Sequence, residues 1–230
     1  MKRSRIVKGI IFIALFAVLL FSPARSFGTK AQAASRWTKL KDKYRNKKTN
    51  RLIFVKCKKG SSCRVVMYRK VKKKSGKYKW KKVTACDGYI GQNGLGKTVE
   101  GDRKTPKGTY KITKAFGIAD DPGCPLKYVK LHEYLYWSGE AGTYNQMVDS
   151  RTLGHIPTNS EHLISISPQY TYALAINYNK KNIVGKGAAI FLHCTGSNPY
   201  TMGCVAIPEK NMKIIMQNVT KRTRICIYNK

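Results

Sequence analysis

Short runs of β-branched and aromatic residues, cut apart by Gly, Pro, Asn and Lys clusters, recur from Arg51 to the end of the chain. Runs of that length and residue type read as strands. They predict strands at Leu52–Lys56, Arg64–Val71, Tyr78–Tyr89, Gly108–Phe116, Leu126–His132, Tyr172–Tyr178, Ala188–Cys194 and Arg224–Tyr228. One stretch has a helical period instead: Met212, Ile215, Met216 and Val219 repeat at three- and four-residue steps. Before it, Pro208 fits a first helical turn and Glu209 favours the positive end of the helix dipole. The pattern predicts a mostly β fold with one or two short helices and no internal repeat.

Ahead of this body the pattern changes twice. Residues 1–33 carry Lys2, Arg3, Arg5 and Lys8, then an unbroken apolar run from Ile10 to Phe21, then Pro23 and the small-residue site Ala31-Gln32-Ala33. That order is the layout of a secretory signal peptide, and the run is short of the ~20 apolar residues a spanning helix needs. Left uncleaved, the same leader would be a membrane anchor. Either way the body is expected outside the cytosol, secreted and associated with the cell wall. Residues 34–50 are polar and strongly basic, and read as a linker or wall-associating arm. Residues 51–230 then read as one domain.

Charge sharpens the picture. The chain has 230 residues with 45 Lys+Arg against 11 Asp+Glu, a formal charge of +34, and 42% hydrophobic residues. That apolar share builds a core and excludes a disordered basic tail. A surface this positive attracts polyanions across a Debye length of ~10 Å, which for an exported protein means anionic cell-wall polymers and lipid head groups. Nucleic acid is the weaker partner, because the lysines are strewn through hairpin-like segments such as Lys70 to Lys82 without a reading helix or aromatic RNA-binding signature.

The chain has 7 cysteines, an odd number that leaves at least one thiol unpaired. Cys57 and Cys63 bracket a turn between two strand-like runs, so they could face each other across a hairpin and bond.

One motif matches a pattern whose physics it does not satisfy. Gly91 to Thr98, GQNGLGKT, has the form of a phosphate-cradling P-loop. Such a loop needs a helix directly after the lysine, whereas the ten residues Val99 to Gly108 contain Gly101, Pro106 and Gly108, which oppose one. The stretch reads as a connection.

The chemical signal lies between Ile190 and Pro208. A buried-type strand delivers His193 at its end, a Gly/Ser/Asn/Pro loop follows, and Cys204 emerges after Gly203. A thiol nucleophile needs a neighbouring base, and an adjacent glycine lets the main chain turn its N–H groups toward an oxyanion. On spacing alone, a core cysteine and an unrelated loop histidine are the commoner outcome. Zinc is a further alternative: His193, Cys194 and Cys204 would need a fourth ligand and lack paired ligand spacing.

At these residues the chain resembles the L,D-transpeptidase catalytic domain, or YkuD, family. The family pattern is a strand histidine, a loop, then Ser/Thr-x-Gly-Cys and an apolar residue, here His193, Thr201, Gly203, Cys204 and Val205. The likeness extends upstream through Gly91–Gly94, Glu100-Gly101-Asp102, Lys104 to Tyr110, Ala115-Phe116-Gly117 and Tyr136-Trp137, and so covers about Arg51 to Lys230. Many members carry a histidine just before the Gly-Cys pair and Arg or Asn two residues after it; this chain has Met202 and Ala206.

The resemblance implies a β-sandwich domain acting on peptidoglycan stem peptides with no metal or organic cofactor. Cys204 would attack the carbonyl before a terminal D-alanine, forming a thioester. His193 would move the protons, and the N–H groups of Gly203 and Cys204 would hold the oxyanion. Thr201 is a candidate for positioning the cysteine loop, with simple turn chemistry as the rival reading. An amine acceptor gives a cross-link, and water gives carboxypeptidase activity. Two other classes stay open: a sortase-like transpeptidase with Arg222 or Arg224 completing the site, and a non-catalytic basic wall-binding module. His162, and the aromatic residues Tyr136, Trp137 and Tyr144, are further candidates for the cleft wall or for core.

Overall fold

Strand β1 (Arg51–Cys57) is buried along almost its whole length, so it must have a covered layer on each face. On one side Ile53, Val55 and Cys57 enter the main core; on the other Leu52 and Phe54 join Trp37 and Cys226. Trp37 belongs to helix α1 (Arg36–Arg45), where Ser35 caps the start by accepting from the Thr38 N–H. The segment read as a linker is therefore helix in large part, and its Trp37 ring lies 5.0 Å from Phe54 and 6.3 Å from Tyr228. Trp37, Leu40 and Tyr44 supply an apolar stripe that its many lysines mask in the sequence. The computed structural model describes residues 34–230, so the leader predicted over 1–33 lies outside the described residues. None of the described helices is long and apolar enough to cross a membrane.

All eight strand-like runs form strands. β1 pairs antiparallel with β2 (Ser62–Lys72), which forms a long hairpin with β3 (Tyr78–Tyr89). β4 (Gly108–Gly117), β5 (Tyr128–Lys130), β9 (Ala173–Ile176), β10 (Phe191–Cys194) and β12 (Thr223–Asn229) account for the rest. Between β10 and β12 lie the short β11 (Val205–Ile207) and α3 (Glu209–Asn218), the helix that the Met212-Ile215-Met216 stripe predicts. The order β12-β1-β2-β3-β11-β10-β9-β4-β5 makes one nine-stranded sheet. Because β4 also pairs with β12, the sheet wraps over on itself and encloses the larger core, the form the expected β-sandwich takes.

A second, three-stranded sheet escaped the sequence reading. β6 (Leu135–Trp137) lies between β7 (Met147–Asp149) and β8 (Glu161–His162), and α2 (Ser150–Leu153) follows β7. Strands of two or three residues carry too little alternation to register as a pattern. Leu135 and Trp137 of this lobe pack with Phe116, Tyr170 and Phe191 in a second core on the outer face of β9 and β10. The lobe thereby builds one wall of the cleft described next.

Cys57 and Cys63 stand opposite each other in the β1–β2 register, as the turn spacing predicts, and both are free thiols. Gly91–Thr98 is followed by no helix. Its Lys97 turns inward, with Nζ 2.9 Å from Asp102 Oδ1, and the Thr98 and Val99 N–H groups donate to the same carboxylate. A P-loop's phosphate-binding groups are here spent on an internal aspartate. Burial alone would raise the Asp102 pKa, but the N–H donors and Lys97 outweigh it and hold it at about 2.

Candidate active site

β10 and β11 run parallel, with Leu192 opposite Val205 and His193 opposite Ala206. One step back along each strand sets Cys204 opposite Phe191. Side chains alternate along a strand, so Phe191, His193, Cys204 and Ala206 share one face while Leu192, Cys194, Val205 and Ile207 share the other. The packing agrees: Cys194 and Val205 lie in the main core, whereas Phe191 and Cys204 lie against the second one. Cys194 is 1% exposed, and its thiol points at the Tyr172 carbonyl. It therefore does not converge with His193 and Cys204, which removes the zinc trio considered from sequence.

His193 and Cys204 open into one cavity of about 350 Å³, lined also by Glu161, Gln169, Tyr170 and Thr201. His193 Nδ1 donates to the Cys194 carbonyl at 2.7 Å, which leaves Nε2 as the acceptor. Burial lowers the imidazole pKa to about 4, against a smaller opposing pull from that carbonyl. The imidazole is neutral at physiological pH. Burial likewise pushes the Cys204 thiol up to about 12, with the Glu161 carboxylate adding to the rise. At rest the thiol donates to the Ala189 carbonyl at 3.1 Å and accepts from the Phe191 N–H at 3.3 Å. No hydrogen bond joins Cys204 to His193 in this resting arrangement.

Thr201 braces the cysteine loop. Its hydroxyl donates to the Cys204 carbonyl at 2.7 Å and accepts from the Gly203 N–H at 3.1 Å. Thr105, from the family-like Lys104–Tyr110 segment, donates to the same Cys204 carbonyl at 3.2 Å. Gly203 has φ +144°, a conformation that side chains resist, and an added Cβ would come within 3.1 Å of the Lys104 carbonyl oxygen. The expectation that Gly203 offers its N–H to an oxyanion needs correction, because Thr201 already holds it. Glycine is needed there for its backbone shape.

Other candidates fall elsewhere. His162 stacks on Tyr136 at 4.6 Å and bonds the Glu133 carbonyl oxygen at 2.7 Å. Trp137 is core, and the Tyr144 hydroxyl donates to Glu100. Arg222 and Arg224 line a different hollow with Lys43, Tyr44 and Lys48, so neither completes a sortase-like site. Glu161, Gln169 and Tyr170 line the cavity although the sequence reading passed over them. A signal was present, since Glu161 is one of only 11 acidic residues. Met202 and Ala206, where many family members carry polar residues, both line the cavity, so this chain's departures lie in the cleft itself.

The family described as YkuD, the L,D-transpeptidase catalytic domain, matches residues 46–227. Curated proteins give no match. Among solved structures, the chain is similar to a variant of the helical cell shape determining protein Pgp2 from Campylobacter jejuni, at 21% identity over 79% of this chain and 48% of that one, with a TM-score of 0.44. It is also similar to Ldtfm, solved as its avibactam carbamoyl enzyme, at 14% identity over 79% of this chain and 49% of that one, with a TM-score of 0.33. The chain thus spans about half the length of each matched structure. The family match begins just after α1 and runs into β12, taking in β10, β11 and the loop that joins His193 to Cys204. This chain belongs to the YkuD family of L,D-transpeptidase catalytic domains.

Proposed function

We propose that the protein is an exported enzyme that acts on peptidoglycan stem peptides through a thioester on Cys204. The observation that carries this reading is the common face of β10 and β11, from which His193 and Cys204 enter one cavity. Both groups are neutral at rest, so the reaction starts without a preformed thiolate–imidazolium pair. The thiol turns from the Ala189 carbonyl toward His193 and gives its proton to Nε2 as sulfur attacks the carbonyl before the terminal D-alanine. The imidazolium passes that proton to the departing amine, which leaves as D-alanine. The Cys204 N–H serves the oxyanion, and Thr201 and Thr105 fix that residue's main chain through its carbonyl oxygen. An incoming amine then forms a cross-link, whereas water returns the free acid.

Without the predicted leader, which holds six basic and no acidic residues, the charge falls from +34 to +28, and that suits a surface that concentrates the enzyme on anionic wall polymers. The test incubates the protein with defined muropeptides and reads the products by mass spectrometry. Loss of a terminal D-alanine, dependent on Cys204, supports the reading. Unchanged muropeptides, together with salt-sensitive retention on isolated walls, would instead identify a binding module.

A further inference from the structure

The acid in the cleft is unusual for this chain. Glu161 comes from β8 of the small sheet, opposite Trp137, and lines the cavity that holds Cys204. With 45 Lys+Arg in the chain, its carboxylate still has no cationic partner among the described residues. Its hydrogen-bond partner is the Tyr170 hydroxyl, which donates to Oε2 at 2.6 Å. Tyr170 in turn sets its ring edge-on to His193, 5.6 Å between centroids. A second acceptor belongs to another residue that lines the same cavity. Gln169 Oε1 is buried and has no hydrogen-bond partner, and Gly196 leaves room for this side chain, since a Cβ there would lie 2.6 Å from Nε2. A buried acceptor without a donor is costly unless a ligand supplies one. A carboxylate and an unpartnered amide oxygen on residues that line one cavity are complementary to a group that only donates and carries positive charge, which is an ammonium.

We infer that Glu161 and Gln169 form the subsite for the ammonium group of the acyl acceptor, with Tyr170 as the positioning residue that holds Glu161. This rests on the thioester reading above. The acceptor arrives as R–NH3+ and gives one proton to the Glu161 carboxylate, leaving a free amine and a carboxylic acid. The amine lone pair forms the new C–N bond at the thioester carbonyl, and the C–S bond breaks. A second N–H proton travels through His193 Nε2 to the departing sulfur and restores the thiol. Glu161 then returns its proton to solvent.

The test measures capture of the preformed acyl-enzyme by an amine-bearing stem peptide and by hydroxylamine, a nucleophile that is uncharged at neutral pH. In Glu161→Gln the ratio of amine to hydroxylamine capture should fall by about 10- to 100-fold, as for loss of one partner of a desolvated charge pair. Gln169→Met should lower the same ratio to a smaller degree. Thermal melting of both variants shows whether the fold is retained, and the ratio is read on the folded fraction, so poor folding alone does not move it. An unchanged ratio would overturn the subsite while leaving the thioester reading intact. A fall in thioester formation matching the fall in amine capture would place the ammonium on the donor and also overturn the assignment. Absence of any acyl-enzyme in the wild-type protein would remove the thioester reading, and the subsite with it.

Discussion

The two faces of the β10–β11 pair differ in almost every physical respect, though alternate residues of the same two short segments build them. Leu192, Cys194, Val205 and Ile207 face the main core and have neighbours on all sides. His193, Cys204 and Ala206, their alternates, line a cavity instead. The dry face holds the strands in register, and that register sets the position of His193 and Cys204 on the other. The contrast is sharpest between the two cysteines: Cys194 is packed as a small hydrophobe, while Cys204 shares a cavity with the His193 imidazole of the neighbouring strand and has its loop braced by Thr201.

The largest way to break this contrast is to remove the chemistry on one face. Cys204→Ser should abolish acyl-enzyme formation with the melting transition little changed, and His193→Ala should slow it by about 10²–10⁴-fold while also lowering the melting transition, because a buried ring is lost. Single-turnover assays with a stem-peptide donor would measure both. Full turnover by Cys204→Ser would end the mechanism.

Next in size is the pH response of His193. Its folded pKa is depressed from 6.5 to about 4, so its contribution to stability is present above 6.5 and is lost as pH falls through 4. A difference of that size amounts to roughly 3 kcal/mol over the window. Denaturant unfolding at pH 7 and pH 4 should register the loss in wild type and a smaller one in His193→Ala. The acid limb of kcat/KM should likewise lie near 4; a limb near 6.5 would show an exposed, ordinary imidazole.

Thr201→Val tests the brace between the faces. It removes the donor to the Cys204 carbonyl and leaves the Gly203 N–H buried without its acceptor, which costs about 1–3 kcal/mol. Acylation should fall about tenfold for a loss of that order. If the rate holds while stability drops, Thr201 is turn chemistry alone.

The smallest effect belongs to the dry face. Cys194→Ala should keep acylation within about twofold and cost about 1 kcal/mol of stability, because the carbonyl that holds His193 is main chain and survives the substitution. A linked Cys194–Cys204 peptide in air-oxidised protein would contradict the opposite-face placement.

How much of this was legible in the sequence follows from how local each signal is. The long strands and α3 could be read because alternation and helical period persist over several residues, as in Tyr78–Tyr89 and Met212–Met216. His193 and Cys204 were legible because one loop joins them. Helix α1 was not, since Trp37, Leu40 and Tyr44 are diluted among lysines and acquire meaning only against Phe54 and Tyr228. The small sheet was too short to show a period, and with it went Glu161; Gln169 and Tyr170 sit in a single turn at 169–171 and reach the cavity of Cys204 only through packing across distant segments. The Gly203 N–H was misread because sequence shows that a glycine is present but not which acceptor its N–H meets.

The central claim is that Cys204, and not its neighbour on the dry face, takes the acyl group. Incubating the protein with a stem tetrapeptide, quenching in acid and mapping the modified peptide by mass spectrometry addresses it directly. The account predicts an adduct equal to the donor minus D-alanine, on the peptide containing Cys204, cleaved by hydroxylamine and absent from Cys204→Ala. An adduct on Cys194, or one that persists in Cys204→Ala, would contradict it.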